Sequence, residues 1–218
     1  MEASSTMHRL MRVLLVACLL GLASACSTPT MKDQASAEFA PAELYPVTGT
    51  GFAQAFVARD AQLASYRTLD ITPLDVSDVD IPQTLVMGTT KGDWLMTPER
   101  QRAMQKDWAA AMDQAFAGYG RAAQGTGVLR IAAKVTRIAP GRPNAATIGG
   151  EMLSACSRDV VEVFVEFRLY QQDSGALLAV IRDSRTITSV AMSRTASIGY
   201  EIMFGSWAAL LHTRVAGK

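Results

Sequence analysis

Between residues 128 and 185 the chain alternates between apolar and polar positions. Leu129, Ile131, Ala133 and Val135 share one side of a run from Val128 to Ile138, opposite Arg130, Lys134 and Thr136. Val161, Val163, Val165, Phe167 and Leu169 repeat the pattern more strongly, opposite Glu162, Phe164, Glu166 and Arg168. A period of two with one apolar face predicts half-buried strands. Gln172-Asp173-Ser174-Gly175 supplies turn residues and Ala176 to Arg185 a return strand, so the pair predicts a long hairpin. Asp173 and Gly175 are turn-formers on this reading. An earlier strand runs from Tyr66 towards Val76, with Leu69 and Ile71 inward, and ends near Pro73.

Two segments switch to a period between three and four. Thr97-Pro98-Glu99 places a hydroxyl at the N-cap, proline at the first helical position and an acid in the first turn. Met104, Trp108, Ala111, Met112, Ala115, Phe116 and Tyr119 then form a stripe opposite Arg102, Lys106, Asp113 and Gln114. Gly118 and Gly120 mark its end. The stripe is core-facing rather than a cofactor box. From about 197 to 215, Ile198, Ile202, Met203, Trp207, Leu210 and Leu211 predict a second helix, which Gly199 and Gly205 each weaken by about 1 kcal/mol. The order β-α-β-β-β-α predicts an α+β fold: a mostly antiparallel sheet of about four strands with two amphipathic helices on one face.

The amino-terminal pattern is of another kind. Arg9 and Arg12 precede an apolar run from Val13 to Leu20, and small residues follow, the layout of a secretory signal. The run is too short to span a bilayer. Glu2 is out of character for such a leader, and Met7 is an alternative start. Leu22-Ala23-Ser24-Ala25-Cys26 resembles a bacterial lipobox, cut before a cysteine whose sulfur then carries diacylglycerol. Ala23-x-Ala25 also fits ordinary signal peptidase, but the cysteine just beyond it favours lipidation. Cys18 would leave only Val13 to Ala17 as apolar core, fewer than the roughly 7 residues required. The expected organisation is a lipoprotein signal peptide at 1–25, a lipidated amino terminus and flexible tether at 26–49, and a single α+β domain at 50–218. Ser27, not Asp, follows Cys26, which by the enteric sorting rule favours the outer membrane.

Loss of residues 1–25 removes Arg9, Arg12 and Glu2, leaving 19 basic and 19 acidic side chains. That balance lacks the basic excess of nucleic-acid binders. It also removes Cys18, and lipid consumes Cys26, so Cys156 has no intramolecular disulfide partner in the mature chain. His212 is then the one histidine left, and no H-E-x-x-H or G-x-S-x-G occurs. Its place near a helix end suits the dipole. Asp70, Asp75, Asp78 and Asp80 crowd around Pro73 without the spacing of a calcium loop, and read as a solvated turn. Neither a metal nor a cofactor is expected.

Two long connections, 77–96 and 139–159, stand out against usual loop lengths. Trp94 in the first is either a lid over the sheet or an anchor for a partner, and is the candidate partner contact. Tyr66-Arg67, Pro73, Val165-Glu166 through Asp173-Ser174-Gly175, Arg182-Asp183-Ser184-Arg185, Phe204 and Trp207-Ala208 together resemble the bacterial lipoproteins of domain of unknown function (DUF) 3313. Ala176 stands where that family would have an acid. The resemblance covers most of residues 50–215 and implies an envelope lipoprotein with no assigned reaction. The order of elements also looks like small periplasmic lipoprotein domains that serve transport or assembly complexes, an analogy of fold only.

The expectation is a non-enzymatic binding or scaffold lipoprotein on the periplasmic face of the outer membrane. Its partners would be the membrane, through lipid on Cys26, and an envelope protein. The alternative is an envelope hydrolase using carboxylates such as Glu162 and Glu166. Four residues apart on one strand, these lie roughly 13 Å from each other, beyond the roughly 5–9.5 Å of glycosidase pairs.

Overall fold

A computed structural model describes residues 28–82, 95–140, 160–188 and 196–217. In chain order the strands are β1 (Thr30–Met31), β2 (Leu44–Thr48), β3 (Gln54–Ala58), β4 (Thr68–Ile71), β5 (Gly120–Arg121), β6 (Val128–Pro140), β7 (Val160–Gln171) and β8 (Leu177–Thr188). The helices are α1 (Pro98–Ala115) and α2 (Ala196–Val215), with short 3₁₀ turns at Ala37–Ala42 and Leu63–Ser65.

The strongest alternating runs lie at the centre. β6, β7 and β8 pair antiparallel along most of their lengths. Leu129, Ile131, Val135, Val163, Val165, Phe167 and Leu169 are all buried. A bulge between Val135 and Arg137 leaves Thr136 and Arg137 both exposed before Ile138 returns to the core. The β7–β8 turn forms as its residues dictate. The Asp173 carboxylate accepts the Ser174 N–H at 2.8 Å, and Gly175 takes a φ of 69°.

Thr97 caps α1, its hydroxyl accepting the Arg100 N–H at 3.3 Å, and Pro98 opens the helix. Trp108 of α1 stacks on Phe167 at 5.7 Å and meets Phe204 of α2 edge-on at 5.9 Å. Trp207 meets Phe167 edge-on at 5.9 Å. Both helices therefore cover the face of the sheet that bears Phe167. Ile202, placed in the buried stripe of α2 by spacing, is instead 68% exposed. That helix is apolar around most of its circumference, so spacing alone does not choose its inner face.

The fold is α+β, but the expected sheet of about four mostly antiparallel strands is corrected. The described residues form one mixed sheet of eight strands, ordered β1-β2-β3-β8-β7-β6-β4-β5. β4 pairs parallel with both β6 and β5. The strand-helix-strand run through α1 is a crossover, which joins neighbouring strands in parallel. β1 and β2 fall within residues 26–49, the stretch expected to be tether, and Leu44 there is completely buried. Tyr45 pairs with Val57 across the boundary drawn at residue 50.

Two packed helices span about 20 Å, the width of about four strands. Here they lie over β4, β6, β7 and β8, with Trp108 also donating to the Thr72 carbonyl just after β4 at 3.3 Å. Ala55 of β3 is still buried in this core, and beyond it β1, β2 and the Val57 end of β3 carry the same face of the sheet outward.

Candidate functional site

That uncovered margin is a cleft of about 1010 Å³. Alternation along β2 and β3 sends Val47, Ala55 and Val57 to the helix-bearing face, where Met31, Phe52 and Ile181 join them as the floor. Leu63 and Ala64 of the second 3₁₀ turn form one wall, and Thr213, Arg214 and Gly217 at the end of α2 form another. The wall is fastened by backbone contacts. Arg214 Nε donates to the Thr50 carbonyl at 2.8 Å and Nη2 to that of Gly49 at 3.3 Å. Gly51, at φ 82°, lies so near α2 that a Cβ there would sit 3.2 Å from the Leu210 methyls. Among the described residues, Arg214 is the one charged side chain lining the cleft. Thr28 and Pro29, the first described residues, lie on its rim.

The opposite face of the sheet is polar and ionic. Glu166 on β7 accepts from Arg168 Nε and Arg182 Nε, each at 2.7 Å. The remaining nitrogens of Arg182 reach the two oxygens of Glu38 at 2.6 and 3.1 Å, and its guanidinium lies over the Phe39 ring at 5.4 Å. Hydrogen bonds from Arg182 hold the Glu38 carboxyl below its ordinary range. The row thus clasps the Ala37–Ala42 turn onto β8, over a small second core of Leu44, Ala58 and Val180.

Asp183 is the polar group that links the two sides of the fold. Its side chain is 9% exposed. It accepts the Trp207 indole N–H at 2.8 Å and the Ala53 N–H at 3.2 Å, and pairs with Arg185 at 3.1 Å. The sequence offered a signal for it. Ala179, Ile181 and Ile187 set the inward register of β8, and Asp183 occupies an inward position among them, where a charge demands partners.

The residues singled out from sequence fall as follows. Cys26, Trp94 and Cys156 lie outside the described residues. The four aspartates around Pro73 each face a cation on β6. Asp70 lies 3.8 Å from Arg130, Asp75 and Asp78 lie 3.9 and 3.7 Å from Lys134, and Asp80 lies 3.5 Å from Arg137. Residues 75 and 80 also bridge to β6 in parallel, so the aspartates form a ladder beside a strand. The Ser77 hydroxyl and N–H hold the Asp75 carboxyl below its usual range. Glu162 accepts the Ser184 hydroxyl at 2.9 Å while Glu166 is taken up by two guanidiniums, so the two serve separate cross-strand contacts. His212 packs edge-on against Phe116 at 5.3 Å and Tyr119 at 5.9 Å, in the last turns of α2.

No protein-family model matches the chain, DUF 3313 included, and no curated protein matches it. Solved structures with a similar path of the chain do exist. PelC from Paraburkholderia phytofirmans, crystallised as a dodecamer, is 10% identical over 72% of this chain and 96% of its own, with a TM-score of 0.38. A minor lipoprotein from Acinetobacter baumannii is 10% identical over 70% and 94%, with a TM-score of 0.35. A DUF330 protein from Xanthomonas campestris is 11% identical over 71% and 89%, with a TM-score of 0.38. Likenesses this distant leave the function of this chain to its own residues.

Proposed function

We propose that the chain is a lipid-anchored envelope protein that works by binding rather than by catalysis. The observation that carries this reading is the apolar cleft beside Thr28 and Pro29, at the end of the sheet from which the chain leads back to Cys26. An apolar sheet margin left open is a place to dock something. Lipid on Cys26 would confine that opening to a bilayer surface, and Ser27 directs the protein to the periplasmic face of the outer membrane. Leu95, 58% exposed, stands next to Trp94 and supports an apolar contact for an envelope partner there.

Metabolic labelling with palmitate tests the anchor. The wild-type chain should take up label and sediment with outer-membrane vesicles, and Cys26→Ser should do neither. An unlabelled wild-type chain, free in periplasmic extract, would overturn the reading. Crosslinking in membranes, comparing wild type with Trp94→Ala, tests the partner contact. Identical crosslinked species in both would remove Trp94 from it.

A further inference from the structure

We propose that the cleft over β1, β2 and β3 holds an acyl chain carried by Cys26 of the same molecule. The inference deepens the lipid-anchor reading above and rests on it.

Place comes first. Two peptide units separate Cys26 from Thr28 on the rim, a reach of at most about 7 Å. A group tethered that closely is presented to the opening at an effective concentration on the order of millimolar, an advantage that a lipid arriving from elsewhere lacks. Chemistry agrees. Val47, Phe52, Val57 and Ile181 offer the floor nothing but hydrocarbon. Among the described residues no carboxylate lines the cleft to attract a basic peptide, and two guanidinium nitrogens of Arg214 donate to the Gly49 and Thr50 carbonyls. Hydrocarbon requires no hydrogen-bond partner, so such a lining suits it. Size agrees as well: about 1010 Å³ lies near the upper end of the roughly 300–1,000 Å³ of ligand pockets. A peptide strand would be poorly served here. The edge strand β1 is two residues long, too short a ladder for strand addition. An acyl chain seated in the cleft would be kept from water whenever the protein is away from a bilayer.

The test uses a photoactivatable fatty acid fed to cells making the full chain, followed by irradiation and peptide mass spectrometry. Label on Cys26 joined within one molecule to peptides containing Val57 or Leu63 is the expected result. Val57→Asp puts a charge in the floor, and Ala64→Trp crowds the mouth from an exposed position that the core does not need. Both should keep the label and lose the internal crosslink, and Ala64→Trp covers the case in which Val57→Asp fails to fold. Label on Cys26 with crosslinks to lipid alone overturns the cleft proposal and leaves the anchor standing. Absence of label from Cys26 overturns both. A Cys26→Ser chain that still crosslinks the free photolipid at Val57 or Leu63 assigns the cleft to bilayer lipid and overturns the internal source.

Discussion

Removing the indole donor of Trp207 should loosen α2 from the sheet by a predictable amount. Trp207 is fully buried, and its N–H meets Asp183, itself 9% exposed, at 2.8 Å. A hydrogen bond to a charged acceptor contributes about 1.5–3 kcal/mol. Trp207→Phe loses that bond and also some packing against Phe167 and Phe204, for a total loss of about 2–4 kcal/mol. Against the roughly 5–15 kcal/mol of a whole domain this is a large fraction. The packing share is separated by a double-mutant cycle with Asp183→Ala, because packing lost in Trp207→Phe is lost in both backgrounds. Urea titration of the detergent-solubilised chain, followed by far-ultraviolet circular dichroism, gives the four free energies. The coupling should fall at about 1.5–3 kcal/mol. A coupling below about 0.5 kcal/mol would show that the indole and carboxylate do not fasten α2 to β8, and the account of Asp183 as the link between helix and sheet would fail.

Three further outcomes follow from the same contacts. Arg182→Met frees Glu38 and Phe39 and takes from Glu166, 12% exposed, one of its two guanidinium partners, so limited proteolysis within 37–42 should quicken and global stability should drop by about 1–3 kcal/mol; an unchanged cleavage rate counts against the clasp. Glu38 and Asp75 both have folded-state pKa values below their unfolded ones, so their contributions are complete above the ordinary carboxylate range and vanish as pH falls through the lowered values. Protection factors of amides at 37–42, corrected for intrinsic exchange, should therefore fall on acidification below that range, and Arg182→Met should remove this pH dependence. Gly51→Ala forces a side chain into φ 82° against Leu210 and should cost about 1–2 kcal/mol, read as a lower melting temperature, whereas Ile202→Lys on the exposed face of α2 should stay within about 0.5 kcal/mol of wild type.

What the sequence made legible was the part of the fold with one wet and one dry face. β6 and β7 show clean alternation because the helices bury one side of each and water meets most of the other, whereas β8 opens on the apolar run Leu177 to Ile181, with Val180 in the second core. α1 was legible from its cap and stripe for the same reason. The ion pairs of Asp70, Asp75, Asp78 and Asp80 were not, because they depend on the parallel register between residues 70–80 and β6, about sixty residues downstream. Spacing within the aspartate cluster carries no trace of Arg130, Lys134 or Arg137. Likewise Glu166 reads as a solvent-facing carboxylate until β7 and β8 are brought together and Arg182 arrives opposite it.

The strands that went unread and the cleft have one cause. Along β2 and β3, Leu44, Phe56 and Ala58 face a small second core, while Val47, Ala55 and Val57 face the open margin on the other side. Both faces are thus apolar, so the period-two contrast that marks a strand is erased. A sheet margin reads as a strand only if something covers it or water takes it. Here the chain has spent apolar residues on a face that its two helices are too narrow to reach. Those residues lie next to the point where the chain turns back to Cys26, and an occupant supplied by that cysteine accounts for their presence without calling on a third helix.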